Sequence, residues 1–239
     1  MIEVVPETGS TNADLLARLA AGEDVVEGHW LVADRQVAGR GRQGRVWNDG
    51  AGNFMGSTVI RLRAGDPPAH TLSLVAGVAT YAAVEASAPE LSGTFLKWPN
   101  DLLVRGAKLA GILLERSGEA VVLGVGVNLA NAPKLPDRQT VSLASKGFAV
   151  SRDAFADLLD TCWSHALRSW RSGGWEELRQ DWAARAHPIG TPLQVHGPDG
   201  ELVRGAFAGL CNDGALQLEL SGGTRRQIHA GEVSLAPRR

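Results

Sequence analysis

Behind Ser10 and Thr11, the apolar residues Leu15, Leu16 and Leu19 fall at helical spacing, and Gly22 follows them. This pattern predicts a helix over 11–21, capped by one of the two hydroxyls and stopped where glycine allows a left-handed turn. HWLVADRQ (29–36) and NFMGSTVIRL (53–62) predict strands, and the alanine-rich stretch from about 69 to 88 predicts a buried helix. Three further runs, TFLKW, KLAGILLE and AVVLGVGVNL, end at Trp98, Glu115 and Leu129. They are apolar almost throughout, which predicts a sheet covered on at least one face by helices. From Ser151 onward Phe155, Leu158, Leu159, Cys162, Trp163, Ala166, Leu167 and Trp170 recur at helical intervals until Gly173 and Gly174, and 175–186 reads as a shorter amphipathic helix. After His187 and Pro188 the texture changes to short alternating stretches (TPLQVHG, ELVRGAFAGL, ALQLEL, RRQIHA) separated by PDG, NDG and SGG. Those are hairpin turns, and strands so short and close together predict a small barrel or sandwich. A domain boundary is placed near residue 188, giving units 1–188 and 189–239.

Composition adds bounds. A chain of 239 residues with 44% hydrophobic and 21% charged residues is neither disordered nor membrane-inserted in type. No apolar run approaches a bilayer span, and the opening MIEVVPETGS carries an acid where a secretion signal carries bases, so a cytoplasmic protein without a membrane partner is expected. Cys162 and Cys211 stand far apart and away from histidine clusters, which favours structural thiols over a disulfide or a zinc site. With 24 Lys+Arg against 26 Asp+Glu the net charge is −2, so nothing global attracts nucleic acid.

The positive charge of interest is local. In GRGRQGRVW (39–47), Arg40, Arg42 and Arg45 alternate with Gly39, Gly41 and Gly44 before Trp47, on a segment expected to hold no shape of its own. Glycine lets backbone N–H groups approach an anion, and arginine supplies planar donors for phosphate or carboxylate. Two readings stay open on these residues alone: an anion clamp, or an RGG-like segment touching RNA. Lysine occurs only at 97, 108, 134 and 146, and two of the four stand in or beside apolar runs, in KWPNDLLV and KLAGI. Each is either paired, with Asp101 or Glu115 as partner, or meets an anionic ligand. GVGVN (124–128) puts glycines in a strand ending on Asn128, which marks either a pocket floor or tight packing with an ordinary turn residue. GSTN (9–12) caps the first helix, reads a polar ligand, or does both.

Taken in order, GSTN, QVAGRGRQGRVW, KWPNDLLV, KLAGI and GVGVN resemble the catalytic domain of biotin protein ligases over about residues 8–130, and GEVSL (231–235) resembles their small C-terminal domain. The resemblance implies an α+β fold: a mixed β-sheet backed by helices, related to class II aminoacyl-tRNA synthetases and lipoate ligases, plus a small SH3-like β-barrel. It implies adenylation of biotin by ATP with Mg2+ to biotinyl-5'-AMP and pyrophosphate, then transfer to a lysine of a biotin carboxyl carrier protein of acetyl-CoA carboxylase or a related carboxylase. Family members that repress transcription carry an N-terminal helix-turn-helix; GSTN begins at residue 9 here, so no specific DNA binding is expected. Dimerisation through sheet edges stays open.

Residue by residue, the resemblance implies that Arg42, Lys108 and Asp101 are catalytic. Ser10, Thr11, Asn12, Gln36, Gly39, Arg40, Gly41, Arg42, Lys108 and Gly111 would bind biotin. Arg40, Arg42, Arg45, Trp47, Asn100 and Asn128 would bind ATP and the adenylate, with adenine on Trp47 and its edge at Asn128. Asp101 would orient Mg2+ or the acceptor amine, and no protein ligand to the metal is assigned. An arginine often follows the terminal motif in the family; Ala236 stands there in this chain, with Arg238 and Arg239 beyond, so no ATP contact is carried over to the C-terminal domain. The rivals are a lipoate or octanoate ligase, whose substrate needs no such hydrogen-bonding set, and a non-catalytic nucleotide- or RNA-binding module, which leaves Lys108, WPND and GVGVN unexplained.

Overall fold

The structure is a computed structural model that describes residues 1–48 and 50–236; Arg238 and Arg239 lie outside the described residues. Seven strands, β1 (Ile2–Thr8), β2 (Trp30–Gln36), β3 (Phe54–Arg61), β4 (Thr94–Lys97), β5 (Asp101–Val104), β6 (Ala107–Ser117) and β7 (Ala120–Val127), form one sheet in the order β1-β2-β3-β7-β6-β5-β4. β1 runs parallel to β2 and every other pair is antiparallel, so the sheet is mixed, as expected.

The four helices are α1 (Thr11–Ala20), α2 (Leu72–Ser87), α3 (Arg152–Arg171) and α4 (Trp175–Ala184). α2 buries ten of its sixteen residues because the sheet lies on one side of it and α3 with α4 on the other. An alanine-rich helix without a polar stripe suits that interior position. α3 is started by Ser151, whose hydroxyl accepts from the Ala154 N–H at 3.2 Å, and it turns Phe155, Leu159, Trp163, Ala166, Leu167 and Trp170 inward.

The two faces of the sheet are treated differently. On β7, Val121, Leu123, Val125 and Val127 point into the main core with α2 and α3. Ala120 and Val122 point the other way, into a smaller core with Leu31, Val59 and Leu15 of α1. Since α1 has only ten residues, it covers one end of that second face. The remainder is where Gly124 and Gly126 continue the alternation of β7.

Five short strands complete the chain: β8 (Pro192–His196), β9 (Leu202–Leu210), β10 (Leu216–Glu219), β11 (Arg225–Ile228) and β12 (Glu232–Leu235). They form an antiparallel sheet in the order β11-β10-β9-β8-β12, of the SH3-like kind expected. Its apolar residues, Phe207 and Leu218 among them, join the main core. The β9–β10 turn is seated in a socket of side chains: Trp175 Nε1 donates to the Asn212 carbonyl at 2.6 Å and Trp98 Nε1 to the Gly214 carbonyl at 3.1 Å. His70 Nε2 lies 2.7 Å from the carbonyl between them, that of Asp213.

Several elements differ from the sequence pattern. β1 is invisible to it because Pro6 reads as a breaker; at the sheet edge, a residue without an N–H is tolerated. β5 is buried at all four positions and so shows no alternation, and β12 is an edge strand whose one buried residue is Val233. Ser10 occupies the N-cap of α1 in extended conformation without a side-chain cap bond. A 3-10 turn, Ala69–Thr71, precedes α2, and α4 stops at Ala184. Among the described residues no helix is long and apolar enough to cross a membrane.

Glu3 on β1 ties the edge strand to α1 and β2: it accepts two bonds from Arg18, at 2.8 and 2.9 Å, and faces His29 at 2.8 Å. Bonds from Arg18, then His29, hold its carboxyl at about 2 against the ordinary 4.5. A depressed carboxyl stabilises the fold above the unfolded value and ceases to as pH falls through the folded one. The stability difference between wild type and Glu3→Gln, measured by urea denaturation, should therefore be constant near neutral pH and close between pH 4.5 and about 2.

Candidate functional site

Residues directly opposite one another on neighbouring strands share a face, and one such row runs Lys97–Asp101–Gly111–Gly126 across β4, β5, β6 and β7. Two of its four members are glycine, so the face that α1 leaves uncovered is hollow there. A cavity of 360 Å³ opens over this floor, with Gly124, Leu113 and Ile112 beside the row.

Lys108 reaches the same face through an irregularity. In regular alternation it would point opposite to Gly111, three residues later. The β5–β6 register shifts between Leu102 and Leu103, a bulge that leaves Leu109 and Ala110 both in the core and turns Lys108 to the cavity. Its ammonium donates to Asp101 Oδ1 at 2.6 Å, while Lys97 stands 3.4 Å from Oδ2. Burial alone pushes the Asp101 carboxyl up, but the two ammoniums outweigh it and hold the group below the usual carboxylate range.

The arginine-glycine segment holds a definite shape, contrary to expectation, because its backbone pairs with itself. Trp47 N–H donates to the Gly39 carbonyl at 2.9 Å and Gly41 N–H to that of Arg45 at 2.7 Å; a 3-10 turn, Arg42–Gly44, forms the tip. Gln43 (φ 57°) and Gly44 (φ 72°) take the left-handed region that lets the tip close. Two side chains moor it: Arg42 donates to Asn100 Oδ1 at 3.1 Å, and Arg45 pairs through both nitrogens with Glu232 of β12. Burial lowers the Arg42 pKa, with Asp101 and Glu232 opposing; the Glu232 bond raises that of Arg45. The Trp47 ring lies over the glycine floor, where a Cβ on Gly126 would come within 2.4 Å of it, and Lys108 Nζ is 5.7 Å from its centre.

A network of uncharged side chains, backed by the Glu115 carboxylate behind the lining, closes the other end. Gln36 Oε1 accepts from Thr11 N–H at 2.8 Å and from its hydroxyl at 3.1 Å; Thr11 Oγ1 and Ser57 Oγ are 2.6 Å apart; Ser57 donates to Asn12 Oδ1 at 2.5 Å; and Asn12 donates to Glu115 at 2.8 Å. Helix start and ligand wall are thus the same residues. Asn128 is buried and donates to the carbonyls of Val141 and Lys108, at 3.2 and 3.4 Å.

Ser10, Thr11, Asn12, Gln36, Arg40, Gly41, Arg42, Arg45, Trp47, Asn100, Asp101, Lys108, Gly111 and Asn128 all line this one cavity. Gly39 does not; it is buried behind Trp47, and a Cβ there would meet the Trp47 carbonyl at 2.6 Å. Sequence reasoning passed over Ser57, Arg138 and Glu232, and offered Glu115 as a partner for lysine, whereas it accepts from Asn12. Only Glu232 carried a signal, through GEVSL, where attention to Ala236 hid it.

The described lining holds six cations (Arg40, Arg42, Arg45, Lys97, Lys108, Arg138) and three carboxylates (Asp101, Asp137, Glu232), an excess of positive charge in a net-negative chain. Each carboxylate is within ion-pairing distance of arginine or lysine, and among the described residues no cluster of three or more His, Cys, Asp or Glu could hold a metal. The arrangement suits an anion that extends from a neutral polar group, and a metal ion would enter with that anion.

Residues 8–129 match the biotin/lipoate A/B protein ligase family, and 189–236 match the biotin protein ligase C terminal domain. The chain is 40% identical to the biotin-acetyl-CoA-carboxylase ligase of Mycobacterium tuberculosis, over 97% of this chain and 88% of that protein. It is 39% identical to the ligase of the same name from Paracoccus denitrificans, over 96% and 98%. In structure it is similar to the biotin protein ligase of Aquifex aeolicus in complex with biotin and ATP, with a TM-score of 0.85, 25% identity and 99% of each chain covered.

The glycines of β7 are not interchangeable. A Cβ on Gly124 would lie 2.3 Å from Asn12 Oδ1, in the network held by Ser57 and Glu115, whereas one on Gly126 meets only the Trp47 ring on the loop. Gly124→Ala should cost about 1–3 kcal/mol of stability, and Gly126→Ala less, because the loop can shift. Denaturant titration of the two variants checks that order.

Proposed function

The chain belongs to the biotin protein ligase family, and on that premise we propose how this cavity makes biotinyl-5'-AMP from biotin and Mg-ATP and passes the biotinyl group to a carrier-protein lysine. The observation that carries the reading is the polarity of the cavity: a neutral hydrogen-bonding wall at one end and a concentration of cations at the other.

The ureido ring of biotin is neutral and polar, and Ser10, Thr11, Asn12 and Gln36 supply donors and acceptors for it. Its carboxylate then lies toward Lys108 and Arg42, where the α-phosphate of ATP meets it. In adenylation a carboxylate oxygen forms a bond to the α-phosphorus, and the bond from that phosphorus to the bridging oxygen breaks with pyrophosphate as leaving group. Two anions must approach, so fixed cations lower the barrier. Arg42 and Lys108 serve the joining groups; Arg40 and Arg45 serve the phosphates, Arg45 by exchanging Glu232 for them. Adenine packs on Trp47, with Asn128 at its edge. Mg2+ arrives with ATP as substrate. The closed loop also keeps water from the mixed anhydride.

In the second half-reaction an acceptor lysine attacks the acyl carbon and AMP departs. Both oxygens of Asp101 are engaged by lysine ammoniums, a site already adapted to hold amines, which favours a role toward the acceptor amine. Asn100 acts by holding Arg42. The acceptor is the biotin carboxyl carrier protein of a carboxylase, acetyl-CoA carboxylase in name among the relatives, and protein rather than specific DNA is the macromolecular partner. A lipoate or octanoate ligase is disfavoured because an apolar ring or chain would leave the buried network of Thr11, Asn12, Gln36 and Ser57 without ligand partners.

Pyrophosphate release from Mg-ATP should require biotin, with lipoate and octanoate giving none. In Arg42→Ala it should fall by roughly 10²–10³-fold, the scale for losing one charge-stabilising donor. Release with lipoate instead would keep the chemistry and move the substrate.

A further inference from the structure

One buried carboxylate between two ammoniums is more positive charge than pairing requires. Asp101 is 8% exposed, and its two oxygens are divided between lysines on different strands: Oδ1 with Lys108 of β6 at 2.6 Å, Oδ2 with Lys97 of β4 at 3.4 Å. Lys97 and Asp101 are direct cross-strand partners in a short hairpin, so Lys97 is fixed beside the carboxylate by register. Lys108 has another place to go, since it stands at the glycine floor under Trp47, where the reacting carboxylate and phosphate are proposed to lie.

We propose that Lys97 is a positioning residue for transfer: it keeps Asp101 an ionised base while Lys108 is engaged by the mixed anhydride, so that Asp101 accepts a proton from the acceptor lysine. The inference rests on the ligase reading above. The acceptor arrives as an ammonium and gives one proton to the Asp101 oxygen that Lys108 has released. The freed electron pair forms the N–C bond at the acyl carbon. The C–O bond to phosphate breaks and AMP takes its electrons. The second nitrogen proton leaves on the departing phosphate, and Asp101 returns its own to solvent.

The electrostatics support this division of labour. The charged groups that act on Asp101 are Lys97 from β4, Lys108 from β6, and Arg42 and Arg45 from the arginine loop. Lys97 in turn acts on His187, whose pKa is lowered by burial and then by that ammonium, and on Glu232. With Lys108 turned to substrate and Lys97 absent, burial, which raises the Asp101 pKa, would be opposed by Arg42 and Arg45 alone among these groups.

The test is single-turnover transfer from preformed biotinyl-5'-AMP to purified apo biotin carboxyl carrier protein, followed against pH, beside the pH profile of pyrophosphate release. Lys97→Met should move the acid limb of transfer upward by about one to two pH units, Lys97→Arg should restore it, and no such shift should appear in pyrophosphate release. Lys97→Gln serves the same purpose if the methionine variant does not fold, as judged by circular dichroism. An unmoved acid limb, or a loss of both half-reactions without a shift, would overturn the inference. If wild type itself forms no biotinyl-5'-AMP and transfers none, the ligase reading fails instead.

Discussion

Where Gly111, Gly124 and Gly126 stand in place of side chains on β6 and β7, the sheet has a floor of bare backbone on the face that α1 leaves open. A sheet ordinarily buries such a face under a second layer, and here the main core does so on the opposite side with α2, α3 and α4. On the open side the layer is made by α1 at one end and by the arginine-glycine loop at the other. The floor accommodates Trp47, brings Lys108 and Asp101 within reach of it, and lets Asn12 lie flat against Gly124. Larger residues there would fill the cavity, and the charges around it would have nothing to converge on.

Electrostatics follow from that geometry. The chain carries a net charge of −2, yet the cavity lining is cationic, because the loop folds over the floor while its arginines are moored at Asn100 and Glu232. The Glu232 mooring lies in the C-terminal sheet, while Asn100 is held from β6, its amide donating to the Ile112 carbonyl at 2.7 Å. Glu232 belongs to β12, and Asn100 follows Trp98, whose indole is fixed on the Gly214 carbonyl. The socket formed by Trp98, Trp175 and His70 therefore sets more than domain position: it links the β9–β10 turn to the hairpin that presents Lys97, Asn100 and Asp101.

Much of the architecture is legible in periodicity. The helices over α1, α2, α3 and α4 and the strands β2, β3, β6 and β7 follow from spacing of apolar residues, since burial of one face is a local pattern repeated along the chain. The strands that escape it, β1, β5 and β12, do so for physical reasons: a proline tolerated only at an edge, burial at every position, or an edge strand with one buried residue. The arginine loop reads as shapeless because it is rich in glycine; its order comes from backbone hydrogen bonds across nine residues and from side-chain partners more than fifty and more than one hundred and eighty positions away.

For the site, the sequence determined the chemical inventory: the arginines, the sparse lysines, the glycines of GVGVN and the polar GSTN, in an order that resembles one family of ligases. Only the tertiary structure decided which way they face. A bulge at Lys108 inverts the alternation that would have aimed it into the core, and cross-strand register places Lys97 beside Asp101. Ser57, Glu115, Arg138 and Glu232 join through contacts between distant segments. Residue type is written locally, whereas register, bulges and domain docking are settled by what the whole sheet can bury, and no stretch of sequence states that alone.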